Sequence, residues 1–141
     1  MTKEIHHQLD RFVEFINSAD AAIGREVIGD SAVFHVPFAA EPMRGVEGYL
    51  SILGMMRSAF SDVHWAIDET IAEGDKIVAR FTLTGTHDGT FFGVHATGRS
   101  VRATAINIYH FNNGLIVEEF GMPNVMSLLG QIGALPEPPS A

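Results

Sequence analysis

From Val101 to Phe111 the chain alternates without a break. Val101, Ala103, Ala105, Asn107, Tyr109 and Phe111 share one side of a strand, and Arg102, Thr104, Ile106, Ile108 and His110 share the other. Asn107 is the polar exception on the first side. The run meets Asn112-Asn113-Gly114 and continues as LIVEEFGM, which reads as the second arm of a hairpin. A three-residue loop with a left-handed Gly114 pairs Phe111 with Leu115, Tyr109 with Val117 and Asn107 with Glu119. A two-residue loop centred on Asn113-Gly114 instead sets Phe120 opposite Asn107. Gly114 at the end of the loop favours the first register, in which Asn107 and Glu119 face each other on an apolar surface.

The remaining periodicity predicts helices first and strands after. Leu9, Phe12, Val13 and Ile16 recur at helical spacing, so about Glu4 to Ser18 forms an amphipathic helix, and Asp20 caps a shorter second one. SAVFHVPF (Ser31 to Phe38) reads as a strand ended by Pro37. Gly45 precedes a helix from Val46 to Phe60 with Tyr49, Leu50, Leu53 and Met56 as its buried ridge. Strands follow over Val63 to Ala72, Lys76 to Thr86, Arg99 to Phe111 and Leu115 to Met122, with a last helix from Asn124 to about Ile132. That order predicts an α+β domain, residues 1–134, with helices against one face of a curved antiparallel sheet and a cone-shaped pocket between them. Phe38, Met56, Phe81, Phe91, Phe92 and Tyr109 are its candidate lining. LPEPPSA (Leu135 to Ala141) predicts a flexible proline-rich tail.

With 141 residues, 46% of them hydrophobic, the chain has enough material for one core and a cavity. Zero cysteines remove disulfides, thiolate metal sites and cysteine nucleophiles, which fits a reducing compartment and an expected cytoplasmic location. The net charge of −8 and the lack of a basic stripe argue against a nucleic-acid partner. The start, MTKEIHHQLDRFVEFIN, has charges throughout and no continuous apolar core, so neither a secretory signal nor a membrane span is expected there. Seven scattered histidines form no ligand motif, and neither a glycine fingerprint for dinucleotides, a phosphate loop nor a GxSxG elbow is present, so no metal or cofactor is expected. Ile106 and Ile108, on the other side of the hairpin strand, are more apolar than a solvated face requires and predict a homodimer.

Three residues carry the candidate chemistry. A carboxylate on an apolar face is paired or raised in pKa, and raised carboxylates do acid and base work near neutrality, which singles out Glu119. Asn107 can hydrogen-bond an enolate oxygen, and His35, on a strand face with Val33 and Pro37, can move a proton at physiological pH. Each has a plainer reading: a structural asparagine, a solvated strand glutamate, a rim histidine bonded to backbone.

The stretches AEGDKIVARFTLTGTHDGTFFG (Ala72 to Gly93), TGR (Thr97 to Arg99) and NNGLIVEEF (Asn112 to Phe120) resemble the SnoaL-like polyketide cyclases of the NTF2-like superfamily, over about Phe34 to Ala134. The resemblance implies a cone-shaped α+β barrel, often dimeric, with a hydrophobic small molecule in the cone. It also implies acid/base chemistry without metal or cofactor, as in intramolecular aldol closure. The family's catalytic acid falls on Gly121, its polar pocket residue on Asn107, its tryptophan on Phe120, and an aspartate before the last helix on Asn124. The implied function is a cyclase- or isomerase-like enzyme acting on a carbonyl-bearing substrate. The alternative is a binding protein or degenerate cyclase that holds such a ligand unchanged.

Overall fold

A computed structural model describes residues 2–135; the proline-rich stretch 136–141 lies outside them. Helices α1 (Thr2–Ser18) and α2 (Ala21–Val27) lead into strand β1 (Ile28–His35), followed by β2 (Met43–Arg44) and helix α3 (Gly45–Ala59). Strands β3 (His64–Glu73), β4 (Lys76–Thr86), β5 (Ser100–Asn112) and β6 (Leu115–Phe120) and the short helix α4 (Val125–Gln131) complete the fold. Asp20 caps α2 through a bond from the Ala22 amide at 2.9 Å. Strand β1 starts three residues before the expected Ser31, since Gly29 and Asp30 carry no apolar period to announce it, and the two-residue β2 carries none either.

One six-stranded sheet runs β2-β1-β6-β5-β4-β3, and its outer strands β2 and β3 are not paired to each other. Four of its five pairings are antiparallel, as expected; β1 with β6 is parallel. That pairing needs the long crossover from β1 to β6, and it sets Phe34 beside Glu119 and His35 beside Phe120. Helix α1 lays Leu9, Phe12, Phe15 and Ile16 on the inner face against Phe34, Ile77, Phe81, Tyr109 and Ile116, all buried. A second apolar cluster gathers Met56, Phe60, Leu83, Phe91 and Leu128. The ridge of α3 uses Ile52 where Leu50 was expected; Leu50 is only half-buried.

The hairpin takes neither anticipated register. Its turn is the two-residue form, with Asn113 and Gly114 left-handed (φ 53° and 77°) and Asn112 opposite Leu115. Phe111 pairs with Ile116 but His110 pairs with Glu118, so Val117 is an extra residue, a β-bulge. The uninterrupted two-residue ladder would have turned Glu119 outward with Ile108. After the bulge Glu119 lies opposite Tyr109 and faces inward, while Asn107 lies beyond it. The expected Asn107–Glu119 pairing is therefore replaced by Tyr109–Glu119, with both polar groups still on the inner side.

Candidate active site

Glu119 reaches the inner side with 1% of its surface exposed, at the wall of an apolar cavity between α3, the sheet and α4. Val36, Phe38, Ile52, Met56, Trp65 and Phe91 supply much of the apolar lining, and Asn107, Tyr49 and Glu119 bring the polar atoms. The cavity is small, with a volume of about 70 Å³. It is a narrow slot whose side chains have to part around a ring-sized ligand.

The polar atoms form a chain. Met122 N–H donates to Asn107 Oδ1 at 3.0 Å, which fixes the amide orientation, and Asn107 Nδ2 donates to the Tyr109 hydroxyl at 3.1 Å. The Tyr109 hydroxyl in turn hydrogen-bonds the Glu119 carboxyl, and Tyr49 Oη donates to Glu119 Oε2 at 3.4 Å. Burial pushes the Glu119 carboxyl up to about 7, and these two phenols hold it from rising further. Burial first, and then the Glu119 charge, raises Tyr49 and Tyr109 well above the ordinary tyrosine value. Both phenols therefore stay protonated as donors, and a carboxyl held at about 7 is able either to give or to take a proton near neutrality. Asn107 keeps a second amide hydrogen for a cavity occupant.

Gly121 also lines this wall, its N–H bonded to the His35 carbonyl at 2.9 Å. A Cβ built there would sit 3.5 Å from Glu119 Oε1 and 3.8 Å from Asn107 Oδ1. A side chain at position 121 would enter the cavity beside the carboxyl. Among the described residues, no group of three or more His, Asp or Glu side chains is placed to hold a metal ion. No described helix is long and apolar enough to cross a membrane.

The sequence model of the SnoaL-like polyketide cyclases matches residues 6–132. The chain belongs to that family. Among solved structures it is similar to TsrD from Streptomyces laurentii, with 26% identity, coverage of 94% of this chain and 97% of that one, and a TM-score of 0.83. It is also similar to IdmH from Streptomyces antibioticus, provisionally described as a polyketide cyclase, at 29% identity, 92% and 98% coverage and a TM-score of 0.82. A provisionally described SnoaL-like polyketide cyclase from Jannaschia sp. CCS1, 20% identical over 95% and 94% of the two chains, shares the fold with a TM-score of 0.81. No curated protein matches the chain in sequence.

Within this SnoaL-like fold the residues singled out from sequence separate into two groups. Glu119, Asn107, Phe38 and Met56 line the cavity. Tyr109 stands behind the lining, fully buried between Phe12 and Phe81, and acts on the site through its hydroxyl. His35 does not reach the cavity. It is paired with Phe120 across β1 and β6, one residue out of phase with Phe34 and Glu119, so both rings lie on the outer face, stacked at 4.6 Å. There His35 Nε2 meets Glu118 Oε2 at 2.9 Å, and Phe120 is 41% exposed. Asn124 is not in the lining either: it caps α4 by accepting from Ser127 N–H at 3.0 Å, and Val125 and Leu128 of that helix face the cavity instead.

Tyr49 is the site residue that pattern reading left in the core. Its sequence signal was a phenol on an otherwise apolar helical ridge, since a buried tyrosine hydroxyl needs a partner and Glu119 is the one available. Trp65, half-buried, also lines the cavity.

Proposed function

We propose that this member of the SnoaL-like family is a cofactor-free acid/base enzyme that moves a proton at the carbon beside a carbonyl of a hydrophobic small molecule. The observation that carries this reading is Glu119: a buried carboxyl, raised to about 7, at the wall of an apolar cavity. Ionised Glu119 takes the proton, and the electron pair of the broken C–H bond passes to the carbonyl oxygen as an enolate. The free amide hydrogen of Asn107 stabilises that oxygen. Where the substrate carries a carbon–carbon double bond conjugated with the enolate, return of the proton to the far carbon of that dienolate shifts the double bond and isomerises the ketone. Attack of the enolate carbon on a second carbonyl closes a ring, and protonated Glu119 then neutralises the new alkoxide.

The test is hydrogen–deuterium exchange at the carbon beside the carbonyl of 1-tetralone in D₂O, followed by NMR. The protein is expected to accelerate exchange, with a rate that rises through about pH 7 as Glu119 ionises, and Glu119→Gln is expected to remove at least about 100-fold of that acceleration. Exchange unchanged in the variant would take Glu119 out of the mechanism. Gly121 supports the second reading, a carrier, because it leaves the family's acid position without a side chain. Binding of 1-tetralone with no exchange at any pH is the result that reading expects.

The homodimer belongs to the same proposal. Ile106, Ile108, Val117, Phe120 and Met122 are all exposed on β5, β6 and the segment that follows, an apolar face that a second copy would cover. Light scattering is expected to give a dimer mass that Ile106→Lys shifts toward monomer. A monomer over a wide concentration range would remove the dimer.

A further inference from the structure

Two tight turns in this chain have the same backbone and opposite chemistry. Asn113-Gly114 closes the β5–β6 hairpin with both residues left-handed, the dipeptide such a turn favours. Phe92-Gly93 repeats it: φ is 46° and 78°, and Phe91 and Val94 bond each other in both directions, at 3.0 and 2.9 Å. Asparagine tolerates the left-handed region, whereas a bulky aromatic there is strained. The fold gains little in return, because Phe92 remains 50% exposed. A Cβ built on Gly93 at the tip would have nothing within 4 Å, so no neighbour packs against the tip itself.

What the ring does touch is the cavity wall. Phe92 meets Phe91 edge-on at 4.6 Å and Phe38 at 6.4 Å, and both of these line the cavity holding Glu119. A half-exposed ring held in a strained backbone at the rim of an apolar slot is a contact surface awaiting an occupant. We infer that Phe92 is a specificity-determining residue, an aromatic clamp at the mouth that selects a planar ring in the ligand through edge and face contacts with Phe38, Phe91 and Phe92. The inference rests on the reading of the cavity as the ligand site and adds the class of ligand: a ketone fused to an aromatic ring over its saturated counterpart.

The experiment compares 1-tetralone with 1-decalone, the same bicyclic ketone without the aromatic ring, by ligand-observed NMR titration. Phe92→Asn rebuilds the turn with the residue the chain already uses at Asn113. It is expected to keep its melting temperature, to weaken 1-tetralone at least 5-fold and to weaken 1-decalone less than 2-fold, with Phe92→Tyr restoring the preference. Met56→Trp, which fills the slot, is expected to weaken both ketones. Equal effects of Phe92→Asn on the two ketones, no effect on either, or no binding of 1-tetralone to the unmutated protein would overturn the clamp. So would a melting temperature lowered by more than about 5 °C, because the ring would then belong to the core. If Met56→Trp weakens both ketones while Phe92→Asn moves neither, the clamp alone fails. If Met56→Trp moves neither, the cavity reading fails and takes the clamp with it.

Discussion

Glu119→Gln is expected to make the protein more stable above neutrality and to flatten the way its stability falls with pH. In the fold the Glu119 carboxyl holds its proton up to about 7, against an ordinary value of 4.5 in the unfolded chain. Between those two values the folded state binds a proton that the unfolded state has released. Stability from this group is therefore complete below about pH 4.5, declines as pH rises, and is lost above about 7. A separation of 2.5 pH units corresponds to roughly 3 kcal/mol, which for a domain of this size is a melting-temperature difference on the order of 6–12 °C. Asp62 and Asp88 are held below their ordinary value of 3.8 by hydrogen bonds from Thr86 and Ser61, so their losses come at lower pH. Subtracting the two melting curves from pH 5 to pH 8 isolates Glu119. Parallel curves would mean that the carboxyl is solvated and that its acid/base role has no basis.

The second large effect is expected at Gly89, which is not part of the cavity lining. A Cβ there would stand 1.8 Å from the Ser58 carbonyl oxygen, a separation no side chain can occupy, and the obstacle is helix backbone. The closeness has a purpose. The amides of Asp88 and Gly89 both donate to Ala59 O, at 3.2 and 3.0 Å, while Asp88 accepts from the Ser61 amide at 2.9 Å and from its hydroxyl. The end of α3, which carries Tyr49 and Met56, is thereby tied to the loop that carries Phe91 and Phe92. Gly89→Ala has to break these bonds, at a cost of about 3 kcal/mol or more. Gly54→Ala is the control: it lies in the same helix, exposed, with nothing near its Cβ, and is expected to gain about 0.5–1 kcal/mol. Thermal melts of the two variants should move in opposite directions. Equal small shifts would show that the loop yields easily and that its seat on α3 is not needed for the fold.

The contrast between these positions shows how far pattern reading reaches. Alternation places six residues of β5 on one face, and all six point inward, because a strand of thirteen residues without interruption leaves no choice. Glu119 was identified as chemical through a register that does not form. The bulge at Val117 restores its direction, and a bulge leaves no mark in an alternation that is already short. His35 and Phe120 follow the same period-two rule, but their side depends on the parallel β1–β6 contact, which joins segments some eighty residues apart and has no local signal. Asn124 was singled out only through the family resemblance, as a pocket residue, and the structure makes it the cap of the helix that follows. Tyr49 needed knowledge of what lies across the cavity from α3. The α+β order, by contrast, needed only the periods of the individual segments.

Val117 also changes how this end of the chain can be redesigned. The strand holds one more residue than its ladder requires, so removing Val117 would straighten the arm and still leave Ile116 and Glu119 on the same side. Removing Glu118 would do the same for that side while deleting the outer partner of His35. Positions in β6 are therefore safely numbered backward from the Asn124 cap, and a shortened variant of this arm is a usable starting point for building new chemistry around Glu119.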